Sequence, residues 1–90
     1  MKQLRVQFIG TVQGVGFRFT TREIAKRFAV TGYVKNEEDG SVTLVAEGEE
    51  KELQEFFRSV RESQLAHYIT DMKTDWGRYE GRWKAFSIAL

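Results

Sequence analysis

The apolar residues of this 90-residue chain change period across a glycine-rich turn, and that switch constrains the fold more than any other feature. Leu4, Val6 and Phe8 alternate with Arg5 and Gln7, the two-residue period of a strand with one buried face. Beyond Phe17, the residues Thr21, Ile24, Ala25 and Phe28 share one helical stripe, while Arg22, Glu23, Lys26 and Arg27 fall elsewhere. Between the two patterns lies Gly10-Thr11-Val12-Gln13-Gly14-Val15-Gly16-Phe17-Arg18. The spacing predicts a strand to about residue 11, a tight turn, and a helix over about 17–29. Backbone N–H groups in such a turn point into one hollow. Glycines let an oxyanion come close, the helix start adds partial positive charge, and Arg18 adds a planar fork of donors. The turn is therefore a candidate site for phosphate or carboxylate. It lacks the terminal Lys-Ser/Thr pair of a nucleoside triphosphate loop.

Gly32 through Asn36 reads as a second strand, and Asn36-Glu37-Glu38-Asp39-Gly40 supplies hairpin turn chemistry. Val42, Leu44 and Ala46 continue as a third strand. The acidic run Glu47-Gly48-Glu49-Glu50 then suits the positive end of a helix over about 49–62. Its buried stripe is Leu53, Phe56, Phe57 and Val60, with Arg58 and Arg61 near the negative end. A fourth strand falls within 65–76, where Ala66 and Tyr68 compete with His67 and Ile69 for the inward phase, a conflict a bulge would resolve. A loop follows around 75–82, and Phe86, Ile88 and Leu90 mark the last strand. The order β-α-β-β-α-β, followed by that last strand, predicts an α+β domain, the ferredoxin-like split βαβ sandwich, with two helices on one face of an antiparallel sheet.

Fourteen Lys and Arg against thirteen Asp and Glu leave a net charge of +1, too little to recruit nucleic acid or a membrane surface. The first strand exposes Arg5 and Gln7 rather than an aromatic pair, and Val42-Thr43-Leu44-Val45 lacks the aromatic-rich motif of RNA-binding sheets of similar order. The absence of cysteine excludes disulfides and thiolate catalysis and fits a reducing compartment. No apolar run approaches a membrane span or a signal-peptide core, and no linker or repeat divides the chain. The expectation is a single domain over residues 1–90, cytoplasmic and monomeric. The lone His67, set in an apolar strand, is expected to be structural, because one histidine assembles neither a metal site nor a triad. Trp76, Tyr79 and Trp83 read either as an exposed recognition patch or as a cover over the sheet edge.

The glycine turn, together with Gly32-Tyr33-Val34-Lys35-Asn36-Glu37-Glu38-Asp39-Gly40-Ser41-Val42, resembles the two signatures of the acylphosphatase family, G-x-V-Q-G-V-x-F-R and G-x-V-x-N-x-x-D-G-x-V. The similarity runs from about residue 4 to Phe86-Ser87-Ile88. It implies hydrolysis of the carboxyl–phosphate anhydride bond of small acyl phosphates, with phosphate as product and with no metal, no cofactor and no covalent intermediate. By motif position, Arg18 binds phosphate, Asn36 orients the attacking water, and the backbone amides of Gln13, Gly14, Val15, Gly16 and Phe17 form the cradle. Family members commonly carry Gly-Pro and small residues before the fourth strand. Here that segment is Arg61-Glu62-Ser63-Gln64-Leu65 without proline, which implies helix for longer. A non-catalytic phosphate-binding or regulatory module would share the loop and differ in whether Asn36 activates water. Taken without the resemblance, Asn36 is a turn-starting residue, and Arg18 is a cation at the positive end of a helix, a conflict that a bound anion removes.

Overall fold

A computed structural model describes all residues, Met1–Leu90, as β1 (Lys2–Gly10), α1 (Phe17–Ala25), β2 (Thr31–Asn36), β3 (Val42–Gly48), α2 (Glu50–Arg61), β4 (Ile69–Arg78) and β5 (Phe86–Ala89). The strands form one five-stranded sheet in the order β4-β1-β3-β2-β5. Three pairings are antiparallel, but β5 joins β2 in parallel, so the sheet is mixed rather than wholly antiparallel. The cause is the position of β4 and β5 at opposite edges. The connection between them must cross the sheet and reverse direction, which sets β5 parallel to β2.

The two-residue period places Leu4, Val6 and Phe8 on the helix side of the sheet, opposite Ala46, Leu44 and Val42 of β3. All six are fully buried, as is Val34. From the helices, Phe17, Ile24 and Ala25 of α1 and Leu53, Phe56 and Val60 of α2 close the same core. Full burial of one such large side chain is worth about 1.5–3 kcal/mol. The Phe8 and Phe17 rings sit 4.9 Å apart, so the start of α1 is pinned to the central region of the sheet. Glu50 and Glu52 occupy the first turn of α2 and Arg58 and Arg61 its last, both favourable to the helix dipole.

The helix predicted to reach residue 29 stops at Ala25. The N–H groups of Arg27 and Phe28 donate back only three residues, to Ile24 and Ala25, which tightens the turn. This lets Phe28 reach Phe56, at 5.9 Å, while the Ala29 N–H donates to Glu52 Oε1 at 2.8 Å. The competing alternations before β4 have a similar explanation. Residues Gln64–Tyr68 form a 3-10 turn started by Ser63, whose hydroxyl accepts from the Leu65 N–H at 3.1 Å. His67 is therefore exposed on that turn, not set in an apolar strand. β4 continues to Arg78 and takes up half of the predicted 75–82 loop. Trp76 and Trp83 do not share a patch. Trp76 lies opposite Leu4 on the helix side of the edge strand, whereas Trp83 lies 5.7 Å from Tyr33, a residue in register with Val45 on the other face.

Candidate active site

The cradle is built where β1 hands over to α1. Gly16 caps the helix at φ 78°, and Gly14 has the same φ, the left-handed region that glycine enters without a steric cost. A Cβ added at either would meet nothing within 4 Å, so both face open space. No protein acceptor engages the backbone N–H groups of Gln13, Gly14, Val15 and Gly16. These free donors join those of the first helical turn, which contains no acidic residue. Arg18, the second residue of α1, takes no part in any of the ion pairs of the molecule. Donors without protein partners, a helix start and an uncommitted guanidinium thus follow one another over residues 13–18.

Asn36 reaches this region from the sheet. It is the last residue of β2 and stands opposite Val42, which is itself opposite Phe8, so it lies on the helix side at the strand end next to α1. Its Oδ1 is buried and has no hydrogen-bond partner. The Gln13 side chain fixes the hairpin against the cradle: its Nε2 donates to the Glu37 carbonyl at 2.7 Å and to the Ser41 carbonyl at 2.9 Å. The hairpin is closed by the Glu37 N–H on the Ser41 carbonyl, 2.9 Å. Asp39 Oδ1 accepts from the Ser41 hydroxyl at 2.6 Å and the Ser41 N–H at 2.9 Å. Those bonds hold the Asp39 carboxyl below its ordinary value.

One cavity of about 300 Å³ brings together Gly14, Gly16, Phe17, Arg18 and Asn36, and Phe19, Ile88 and Leu90 supply apolar lining. Gln13 and Val15 do not line it: Gln13 is turned to the hairpin, and Val15 packs partly against the core. A larger hollow of about 820 Å³ includes Asn36 but none of the cradle glycines, and Glu37, Glu38 and Asp39 line it. Its three carboxylates outnumber its two cations, Arg5 and Lys35, and it holds none of the glycine-turn donors, so the smaller cavity is the candidate site. No group of three or more His, Asp or Glu side chains in the molecule is arranged to hold a metal ion. The clamp from Gln13 and the lining by Phe19 and Ile88 were not evident from sequence. The one hint was that Phe19 falls off the buried stripe of α1.

Comparison with known proteins agrees with this geometry. The acylphosphatase family model matches residues 4–88. The acylphosphatase of Thermotoga petrophila is 43% identical over 81 residues, 90% of each chain. That of Salinibacter ruber is 38% identical over 87 residues, covering 97% of this chain and 92% of its own. The crystal structure of acylphosphatase from Bacillus subtilis superposes with a TM-score of 0.91 at 37% identity, each chain covered in full. With both signatures brought to one cavity and the match spanning nearly the whole fold, the chain belongs to the acylphosphatase family and is an acylphosphatase-type hydrolase.

Proposed function

We propose that the chain hydrolyses small acyl phosphates at the cavity between the cradle and Asn36. The phosphoryl oxygens lie on the N–H groups of the 13–17 turn and on the Arg18 guanidinium, which holds two oxygens at once. Water, oriented by the Asn36 amide, attacks phosphorus in line. The bond between phosphorus and the bridging oxygen breaks, the carboxylate leaves with the electron pair, and both protons of the water end on the released phosphate. A carboxylate leaves readily as an anion, so positioning and charge stabilisation carry the reaction without a base of tuned pKa. Charge spreading over the equatorial oxygens strengthens their contacts with Arg18 and the fixed amides in the transition state.

The observation that carries this reading is the meeting of Gly14, Gly16, Arg18 and Asn36 in one cavity. The unpaired Asn36 Oδ1 supports it further. An amide whose acceptor is not engaged by the protein is free to turn, and a half-turn exchanges its donor and acceptor ends before water. The reading treats residues 1–90 as one domain that carries the whole site, because every group it uses comes from a single chain. No helix is long and apolar enough to cross a membrane.

The test is hydrolysis of benzoyl phosphate in ¹⁸O-water with a metal chelator present. The proposal expects turnover that resists the chelator and places the label in phosphate. Label in benzoate, loss of activity on chelation, or phosphate binding without turnover would contradict it, the last pointing to a non-catalytic module.

A further inference from the structure

Phe19 is an apolar ring without a place in the core. The buried residues of α1 are Phe17, Thr21, Ile24 and Ala25, so Phe19 falls on the opposite side of the helix and is 57% exposed. A single exposed aromatic needs no explanation by itself. Two observations set this one apart: it lines the cavity that holds the cradle and Asn36, and the Arg22 guanidinium lies 5.5 Å from its ring centroid, restraining the ring at the first turn of α1.

Chemistry divides the cavity between the two halves of a substrate. A phosphoryl group placed on the turn amides and Arg18 uses the polar donors, and Asn36 is held for water. The acyl group must then lie against what remains. Val12 and Phe17 are buried at 0% and 2% exposure, which leaves Phe19, with Ile88 and Leu90 of the far wall, as the apolar surface that can be covered. Arg18 is the only cationic residue of the lining, and the neighbouring cation, Arg22, lies against the Phe19 ring and 3.7 Å from Glu23 Oε2, so a negatively charged acyl tail gains little there. We infer that Phe19 is a specificity-determining residue: with Ile88 it forms the wall for the acyl group and favours acyl phosphates with an aromatic or extended apolar acyl group over acetyl phosphate. The inference rests on the acyl-phosphate reading of the site.

Phenacylphosphonate and acetonylphosphonate, in which a CH₂ replaces the bridging oxygen of benzoyl and acetyl phosphate, test this by calorimetry without turnover. The unaltered chain should bind the phenacyl compound about tenfold more tightly than the acetonyl compound. Phe19→Ser should reduce that preference to about twofold or less by weakening the phenacyl compound far more than the acetonyl compound, and Phe19→Leu should retain most of it. The inference is overturned if the unaltered chain does not bind the phenacyl compound, binds both equally, keeps its preference in Phe19→Ser, or loses affinity for both equally in that variant. Because binding needs no hydrolysis, a failure of the catalytic reading and a failure of this preference are separately visible.

Discussion

Arg18 sits where helix electrostatics disfavour it, two residues into α1 with no acidic neighbour in the first turn and no ion pair. Removing it should therefore cost the fold little and the site much. Arg18→Ala is expected to lower kcat/KM for benzoyl phosphate by about 10²–10³, roughly 3–4 kcal/mol of transition-state stabilisation, with loss of inhibition by phosphate. Its melting temperature should be unchanged or slightly raised. Arg18→Lys should recover only part of the activity, since an ammonium is a point charge. Steady-state kinetics and a thermal melt on the same preparations check both halves. Arg18 and Asn36, which share the cavity, were legible in the sequence as candidates because the family signatures single them out; turn chemistry alone marked Asn36 only as the start of a turn. Phe19 and the Gln13 side chain were not, because what they touch depends on how the hairpin and β5 dock against α1.

Among the elements, the glycine turn and the β2–β3 hairpin act as one piece because Gln13 Nε2 bridges two hairpin carbonyls. Each such bond contributes about 0.5–1.5 kcal/mol. Gln13→Ala should lower kcat more than it weakens phosphate inhibition, because the cradle amides stay while Asn36 loses its fixed distance from them. Comparing kcat with the phosphate inhibition constant measures the split. Gly16→Ala puts a side chain at φ 78° and should destabilise the protein by about 1–2 kcal/mol in urea unfolding. Element ends were the least legible features. The periodicity of α1 continues through Phe28, yet the helix stops at Ala25 because Phe28 packs on Phe56 and Glu52 receives the Ala29 N–H. At 64–68 no strand phase exists to be read, since those residues form a 3-10 turn.

At the scale of the whole molecule, the crossing from β4 to β5 is held by one buried carboxylate. Glu47, 1% exposed, accepts from Gln3 Nε2 at 2.9 Å and from the N–H groups of Glu80 and Gly81 at 2.7 and 3.0 Å. Burial pushes its pKa up, but the Glu80 N–H, the Gln3 amide, the Gly81 N–H and the Arg82 charge outweigh burial and hold it below the ordinary 4.5. A depressed carboxyl pKa stabilises the fold above the unfolded value, and that stability is lost as pH falls through the folded value. Acid should therefore loosen the crossing below about pH 4.5. Glu47→Gln turns an amide donor toward backbone donors, so it should lower stability at neutral pH and flatten the acid side of the profile. Urea unfolding across the acid range shows both effects. The layer arrangement was legible from periodicity and motif order. The parallel pairing of β5 was not, because it follows from this crossing, whose anchor on Glu47 joins residues far apart in sequence.

If the cradle binds phosphate while Asn36 directs water, Asn36→Ala separates the two roles. Turnover of benzoyl phosphate and the inhibition constant for phosphate would be measured on one preparation. Turnover reduced by about 10² or more, with phosphate affinity close to that of the unaltered chain, is the predicted result. Turnover near that of the unaltered chain would show that Asn36 does not direct the water.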